Sequence, residues 1–301
     1  MAIGIFLTFR LLDFADMTAE GSFLIGAAIT AVCLSKGFNP FLVLLLALLG
    51  GAACGAITGV LNRFLKIPKL LSGIITMTAC GGLVYFIFGY DKDLGFKGYA
   101  TAGLRSKTIY KYFYSLPGPQ TLWTIIVMAV VVVLVMFIIY RFFGTEYGMA
   151  IRTTGMNEKM ARAQGINTDV ATIVCVALSN SLIALAASLV YQRGGQIYPG
   201  AEAGQLVIGL ASVLIGEAVF GKKTFKNWLI SIVLGAILYY VIITIVLNVG
   251  SDAYKEAMDK IKKFIYAILI TIALCLPAIK GSITNAVSKK KKVKEECACS
   301  N

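Results

Sequence analysis

Thr121-Leu122-Trp123-Thr124-Ile125-Ile126-Val127-Met128-Ala129-Val130-Val131-Val132-Val133-Leu134-Val135-Met136-Phe137-Ile138-Ile139-Tyr140-Arg141-Phe142-Phe143 carries no charge before Arg141. At 1.5 Å per residue such a helix reaches about 34 Å, enough to cross the roughly 30 Å of bilayer hydrocarbon. Backbone groups in lipid must be paired within the segment, and the run lacks the alternation of a barrel strand, so it is a helix. Comparable runs lie near Asn39 to Asn62, Pro68 to Tyr90, Val170 to Gln192, Lys226 to Val249 and Ile261 to Ile279. Two others, Gly21 to Leu34 and Gly204 to Phe220, are short, and their length marks them as half-buried or broken helices. The expected fold is all-α, a polytopic transmembrane bundle of about eight to nine membrane segments, two of them short or broken. Residues 1–280 form the membrane domain and 281–301 a basic tail.

Composition agrees. With 58% hydrophobic and 14% charged residues over 301 positions, and a mean hydropathy of +0.81, the chain has more apolar surface than a soluble fold can bury. The net charge of +13 is mostly topogenic. Arg63, Lys66 and Lys69, the segment from Arg141 to Asp169, Lys222 and Lys223, and the Lys289 to Lys294 tail fall on one side, which the positive-inside rule assigns to the cytoplasm. Lysines beside a last membrane helix fit an anionic-lipid contact or a solvated end, so no nucleic-acid partner is expected. Five cysteines sit in apolar runs and behave as small hydrophobes. Cys297 and Cys299 end a chain with no histidine, so neither a metal site nor haem chemistry is expected.

After the quoted helix comes a polar loop, about 144–168. Gly155-Met156-Asn157-Glu158-Lys159-Met160-Ala161-Arg162-Ala163-Gln164-Gly165 is a short stretch of good helix formers with glycines at both ends, where a tight chain reversal needs them. It reads as a solvated connector or as a helix presented to a soluble partner. A second feature is acidic: Asp13, Asp16 and Glu20 precede the apolar run that starts at Gly21 and Ser22. A carboxylate near lipid depth persists only if it faces water, protein or a pathway. The other half repeats the pattern, with Glu202, Gly204 and Gln205 before Leu206. Gly21, Ile25, Gly26 and Ala28 match Gly204, Ile208, Gly209 and Ala211 at a constant offset of 183. Glycine-interrupted short segments at matching places in two halves point to a transport path.

The loop, with the run Ala177-Leu178-Ser179-Asn180-Ser181-Leu182 and the stretch Gly209-Leu210-Ala211-Ser212-Val213-Leu214-Ile215-Gly216-Glu217, resembles permeases of ATP-binding-cassette (ABC) importers of the branched-chain amino acid and ribose type. The nearest branch is that assigned to tryptophan and tyrosine. The resemblance implies a cytoplasmic ATPase docked on Gly155, Asn157, Glu158, Ala161, Arg162 and Gly165. It also implies a path near Asp16, Glu20, Gly21, Glu202, Gly204 and Gln205, an extracytoplasmic or lipoprotein binding protein, and a second permease copy. Family members begin with a complete first helix, whereas Met1 to Leu12 spans only about 18 Å, so the first span is expected to be short. The chain has no Gly-x-x-x-x-Gly-Lys-(Ser/Thr) loop, so ATP and its Mg²⁺ are expected on another chain. A second class of reading is an ion-coupled carrier using Asp13, Asp16, Glu20 or Glu202. It leaves the polar loop unexplained. A membrane enzyme lacks any nucleophile–base pair.

Overall fold

The computed structural model describes residues 1–88, 108–114, 119–194, 204–222, 224–248 and 271. Among them every regular element is helical. In chain order these are α1 (Ala2–Phe6), running on as a π turn over Leu7–Leu11, α2 (Thr18–Ser35), α3 (Pro40–Arg63), α4 (Lys69–Phe88), α5 (Ile109–Tyr114) and α6 (Gln120–Phe142). They are followed by α7 (Glu146–Met156), α8 (Glu158–Ala163), α9 (Thr168–Gly194), α10 (Gln205–Phe220) and α11 (Phe225–Asn248). Six of the described helices are long and apolar enough to cross a bilayer: α2, α3, α4, α6, α9 and α11. For five of them the bounds fall within two residues of those read from hydropathy, whereas α2, read as a short segment from Gly21 to Leu34, starts three residues earlier and is long enough to span. The expected span Ile261 to Ile279, the tail 281–301 and Glu202 lie outside the described residues.

The chain packs as two compact units, Met1–Leu206 and Val207–Asn301. In the first, α2 and α9 are the core, 72% and 61% buried, whereas α6 is only 17% buried and turns Val130, Val133 and Phe137 outward. Such an apolar exterior is stable only in lipid. The core is close because α3 presents Gly51, Gly55 and Gly59 at every fourth residue, on one helix face. A Cβ on Gly55 would stand 2.5 Å from the Val176 carbonyl oxygen and 2.8 Å from Ala177 Cα, and one on Gly59 2.9 Å from Ile173 Cα. Lipid gives apolar helices no hydrophobic reason to associate, so backbone approach through small residues supplies the packing.

Gly21 does not break a helix. α2 runs unbroken from Thr18 to Ser35, and Gly21 is small because α4 crosses there, with Met77 Cα 2.9 Å from where its Cβ would be. The interruption comes earlier, over residues 12–17, where Asp13 takes φ +50°. Gly204 does the opposite: nothing crowds it, and its φ of +85° starts α10. The 183-residue match therefore joins two glycines with different duties.

Side-chain bonds sort the helix ends of the first unit into two faces. Arg63, ending α3, pairs with Glu158 of α8, and Lys69, starting α4, donates to the Asp13 carbonyl at 2.9 Å. Those ends and the loop share one face. At the opposite ends, Gln192 of α9 donates to the Pro40 carbonyl at 3.4 Å and accepts from the Ile109 N–H at 3.1 Å. In the second unit, Gly216 and Gly235 bring α10 and α11 together, with a Cβ on Gly216 2.8 Å from the Ser231 carbonyl carbon. Ala211, Ile215, Tyr239 and Ile243 fill the contact. Glu217 accepts the Trp228 indole N–H at 2.9 Å.

Candidate coupling loop and buried polar seam

α7 begins at Thr145, whose hydroxyl accepts the Gly148 N–H at 3.4 Å. The chain leaves the helix at Asn157, at φ −156° and ψ 101°. That extended residue then caps α8, its Oδ1 accepting the Met160 N–H at 3.1 Å, the usual task of an asparagine N-cap. Gly165 closes α8 in the left-handed region at φ +81°, and the following Ile166 N–H returns to the Ala161 carbonyl at 3.1 Å, as helix C-termini require. Gly155 is not the upstream reversal. It lies within α7, and an added Cβ would run into the Leu11 carbonyl oxygen and come 3.0 Å from Leu12 Cα.

Of the residues expected to meet a partner, Asn157, Arg162 and Gly165 are exposed, Gly155 and Glu158 are half-buried, and one turns inward. Ala161 is buried. Glu158 and Arg162 brace α8 within the chain: Arg63 binds Glu158 at 2.5 Å, and Arg162 Nη2 meets Glu158 at 3.0 Å and Asp169 at 2.9 Å. Arg162 Nε donates to Thr168 and Arg63 Nη2 to Thr172, both at 2.7 Å. The Arg63 hydrogen bond is the main reason the Glu158 carboxyl is held below its ordinary range. Met156, Lys159 and Met160 face outward as well. Hydropathy could not separate these sides, because six residues are too few for a periodic signal.

The second constellation is a polar seam in the core. Asp16 is fully enclosed. Its Oδ1 accepts the Thr18 N–H at 2.9 Å and its Oδ2 the Asn180 amide at 2.6 Å, while Ser22 donates to Asn180 Oδ1 at 2.7 Å. Thr18 and Thr58 share a hydrogen bond at 2.7 Å, and Thr58 donates to Thr76 at 2.9 Å. Asp16 was expected to face a water-accessible route; it faces protein. That resolves how a carboxylate stays near lipid depth, since both of its oxygens accept hydrogen bonds. Glu20, at 9% exposure, accepts the Gly204 N–H at 2.9 Å. The two acidic or glycine breaks matched by sequence thus meet through one bond, with Gln205 half-buried next to it. Asn180, Ser22, Thr58 and Thr76 carried no signal in composition, being polar residues scattered over four apolar runs.

A family described as the permease component of branched-chain amino acid transport systems matches residues 1–274. The chain belongs to this family. It is therefore an ABC-transporter permease, a multi-pass membrane subunit and not itself an enzyme. This permease is 32% identical to a tyrosine transport system permease protein of Clostridioides difficile, over 97% of this chain and 94% of that one. A fructose import permease of Bifidobacterium longum is 26% identical over 92% and 73%, and a ribose import permease of Haemophilus influenzae 27% identical over 69% and 62%. No solved structure matches the permease.

Proposed function

We propose that this permease is the membrane-spanning subunit of a binding-protein-dependent importer for an amino acid, aromatic by preference. The observation that carries the reading is the tyrosine-system relative, similar over nearly the full length of both chains. ATP and Mg²⁺ belong to a separate cytoplasmic ATPase, which docks on α8 and the end of α7 through Met156, Lys159 and Met160, with the exposed Asn157 and Arg162 beside them. Gly155, Asn157, Glu158, Ala161, Arg162 and Gly165 shape and hold that helix. A second copy of the chain completes a two-fold assembly able to engage two ATPase subunits. An extracytoplasmic binding protein delivers solute to the face bearing Pro40, Ile109 and Gln192. The route runs past Glu20, Gly204 and Gln205, and alternating access follows ATPase closure.

A sugar cargo is the second reading, favoured by the fructose and ribose relatives. Tagged permease is purified with its ATPase and binding protein, reconstituted into liposomes, and supplied with labelled tyrosine, tryptophan, ribose or fructose. ATP-dependent uptake of tyrosine or tryptophan supports the proposal; uptake of a sugar alone selects the second reading. Uptake that needs no ATP and collapses with the proton or sodium gradient would establish an ion-coupled carrier instead.

A further inference from the structure

We infer that the break between the first short helix and α2 receives the movement of the coupling loop, which makes Gly155, Asp16 and Asn180 positioning residues for transport. This rests on the reading of α8 as the ATPase dock. α7 and α8 are joined only through Asn157, so a displacement of the docked helix reaches α7 directly. α7 in turn meets the break backbone to backbone: Gly155 lies against the Leu11 carbonyl and Leu12 Cα, with no room for a methyl group. No side-chain rotamer stands between them to absorb the movement, and packed interiors pass displacement on.

The receiving segment is built to shift as a piece. It leaves the membrane helix through a π turn, with the Leu12 N–H bonded to the Leu7 carbonyl at 3.2 Å and the Phe14 N–H to Thr8 at 2.9 Å. Such wide turns are local exceptions to helical register. Beyond them, Lys69 holds the Asp13 carbonyl at 2.9 Å, and Asp16 ties the segment to Asn180 of α9 and to the first turn of α2 through Thr18. α2 starts one residue after Met17, and one turn on, Glu20 holds the N–H of Gly204. A line of contacts runs from the loop through Gly155, Leu11, Asp16 and Thr18 to the acid–glycine bond. Asp16 and Asn180 fix where the break pivots; neither needs to touch solute.

The test uses wild-type permease with the ATPase that co-purifies with it, reconstituted in lipid nanodiscs, and hydrogen–deuterium exchange of peptides covering residues 7–17. Trapping with ATP, Mg²⁺ and vanadate should change the exchange of the Leu12 and Phe14 amides at least threefold relative to the nucleotide-free complex. In Gly155→Ala that nucleotide response should disappear, and uptake per ATP hydrolysed, measured in liposomes, should fall about tenfold or more. A purely structural role for Gly155 would instead lower assembly, hydrolysis and uptake in the same proportion, and that outcome overturns the inference. So does an unchanged 7–17 segment in the trapped wild-type complex, a measurement that does not depend on any variant folding. Failure of the wild-type permease to retain an ATPase would remove the docking reading itself, and is distinguished by the absence of the second chain from the purified sample.

Discussion

Asp16 shows how single residues in this chain carry roles that their type alone does not reveal. An acid before an apolar run signals that something must satisfy it, and the sequence reading placed Asp16 on a water-accessible path; the partner that decides, Asn180, is 164 residues away. Replacing Asn180 with Ala leaves Asp16 Oδ2 and the Ser22 hydroxyl without their partner inside the core. That should destabilise the permease by about 3 kcal/mol, the usual penalty for an unsatisfied buried group beside a charge, read as a lowered midpoint of thermal unfolding in detergent. Gly165 is a contrasting case, because an added Cβ would touch nothing while φ +81° disfavours any side chain. Gly165→Leu should cost about 1–2 kcal/mol of local stability and weaken ATPase co-purification, whereas Gly165→Asn, which tolerates that conformation, should retain most of it. Glu158 supplies a pH dependence. Arg63 holds its carboxyl below the ordinary value of 4.5, so the pair stabilises the loop fully above that value and loses this contribution as pH falls through the lowered one. The stability gap between wild type and Glu158→Gln should be constant at neutral pH and close on acidification below about 4.3. A gap that persists unchanged in acid would assign the effect to packing.

The helices themselves were largely legible, and the reason is physical. A bilayer demands long uninterrupted apolar runs with every backbone bond internal, so the bounds of α3, α6, α9 and α11 follow from hydropathy. What hydropathy misses is which face of each helix meets which neighbour. Gly21 read as a break, yet it is a crossing point with α4; Gly155 read as a turn, yet it is a contact with Leu11. Both errors come from the same ambiguity, because glycine serves equally where the backbone must bend and where two backbones must touch. Likewise the Gly51, Gly55 and Gly59 stripe takes its meaning only from the α9 backbone it meets. Two consequences can be measured on these crossings. Gly55→Leu forces a branched side chain into the Val176 carbonyl, and overpacking of this kind costs about 1–3 kcal/mol or more, so membrane-inserted protein should lose its sharp unfolding transition. The α3–α4 crossing carries its own reporter: the Cys54 and Cys80 sulfurs are 3.5 Å apart. Copper–phenanthroline oxidation of the unmodified permease should join them, and peptide mass analysis finding both thiols free after exhaustive treatment would show that these two helices cross elsewhere.

At the scale of the whole molecule, the helix ends of the first unit divide into two faces with unequal charge. The loop-bearing face gathers Arg10, Arg63, Lys66, Lys69, Arg141, Arg152, Lys159 and Arg162, while the opposite one has Lys36, Lys111 and Arg193 among the described residues. This asymmetry was expected from the sequence, but the sequence supplied it only by assuming an alternation of spans. The fold supplies it by contact, since the Arg63–Glu158 pair and the Lys69–Asp13 bond tie three chain segments to the loop, and Gln192 ties Pro40 to Ile109 at the other ends. Arginine and lysine translocate poorly, so the richer face is expected in the cytoplasm. Lys159 on α8 and Lys111 on α5 are both exposed and sit on opposite faces, which makes them suitable for a two-sided test. In a background without other reactive thiols, a membrane-impermeant maleimide applied to intact cells should label Lys111→Cys and spare Lys159→Cys, with labelling of the latter appearing only after permeabilisation. Equal labelling of both in intact cells would break the link between the charge asymmetry and orientation. The reversed pattern would put α8 outside, out of reach of any cytoplasmic ATPase, and would remove the importer mechanism along with the topology.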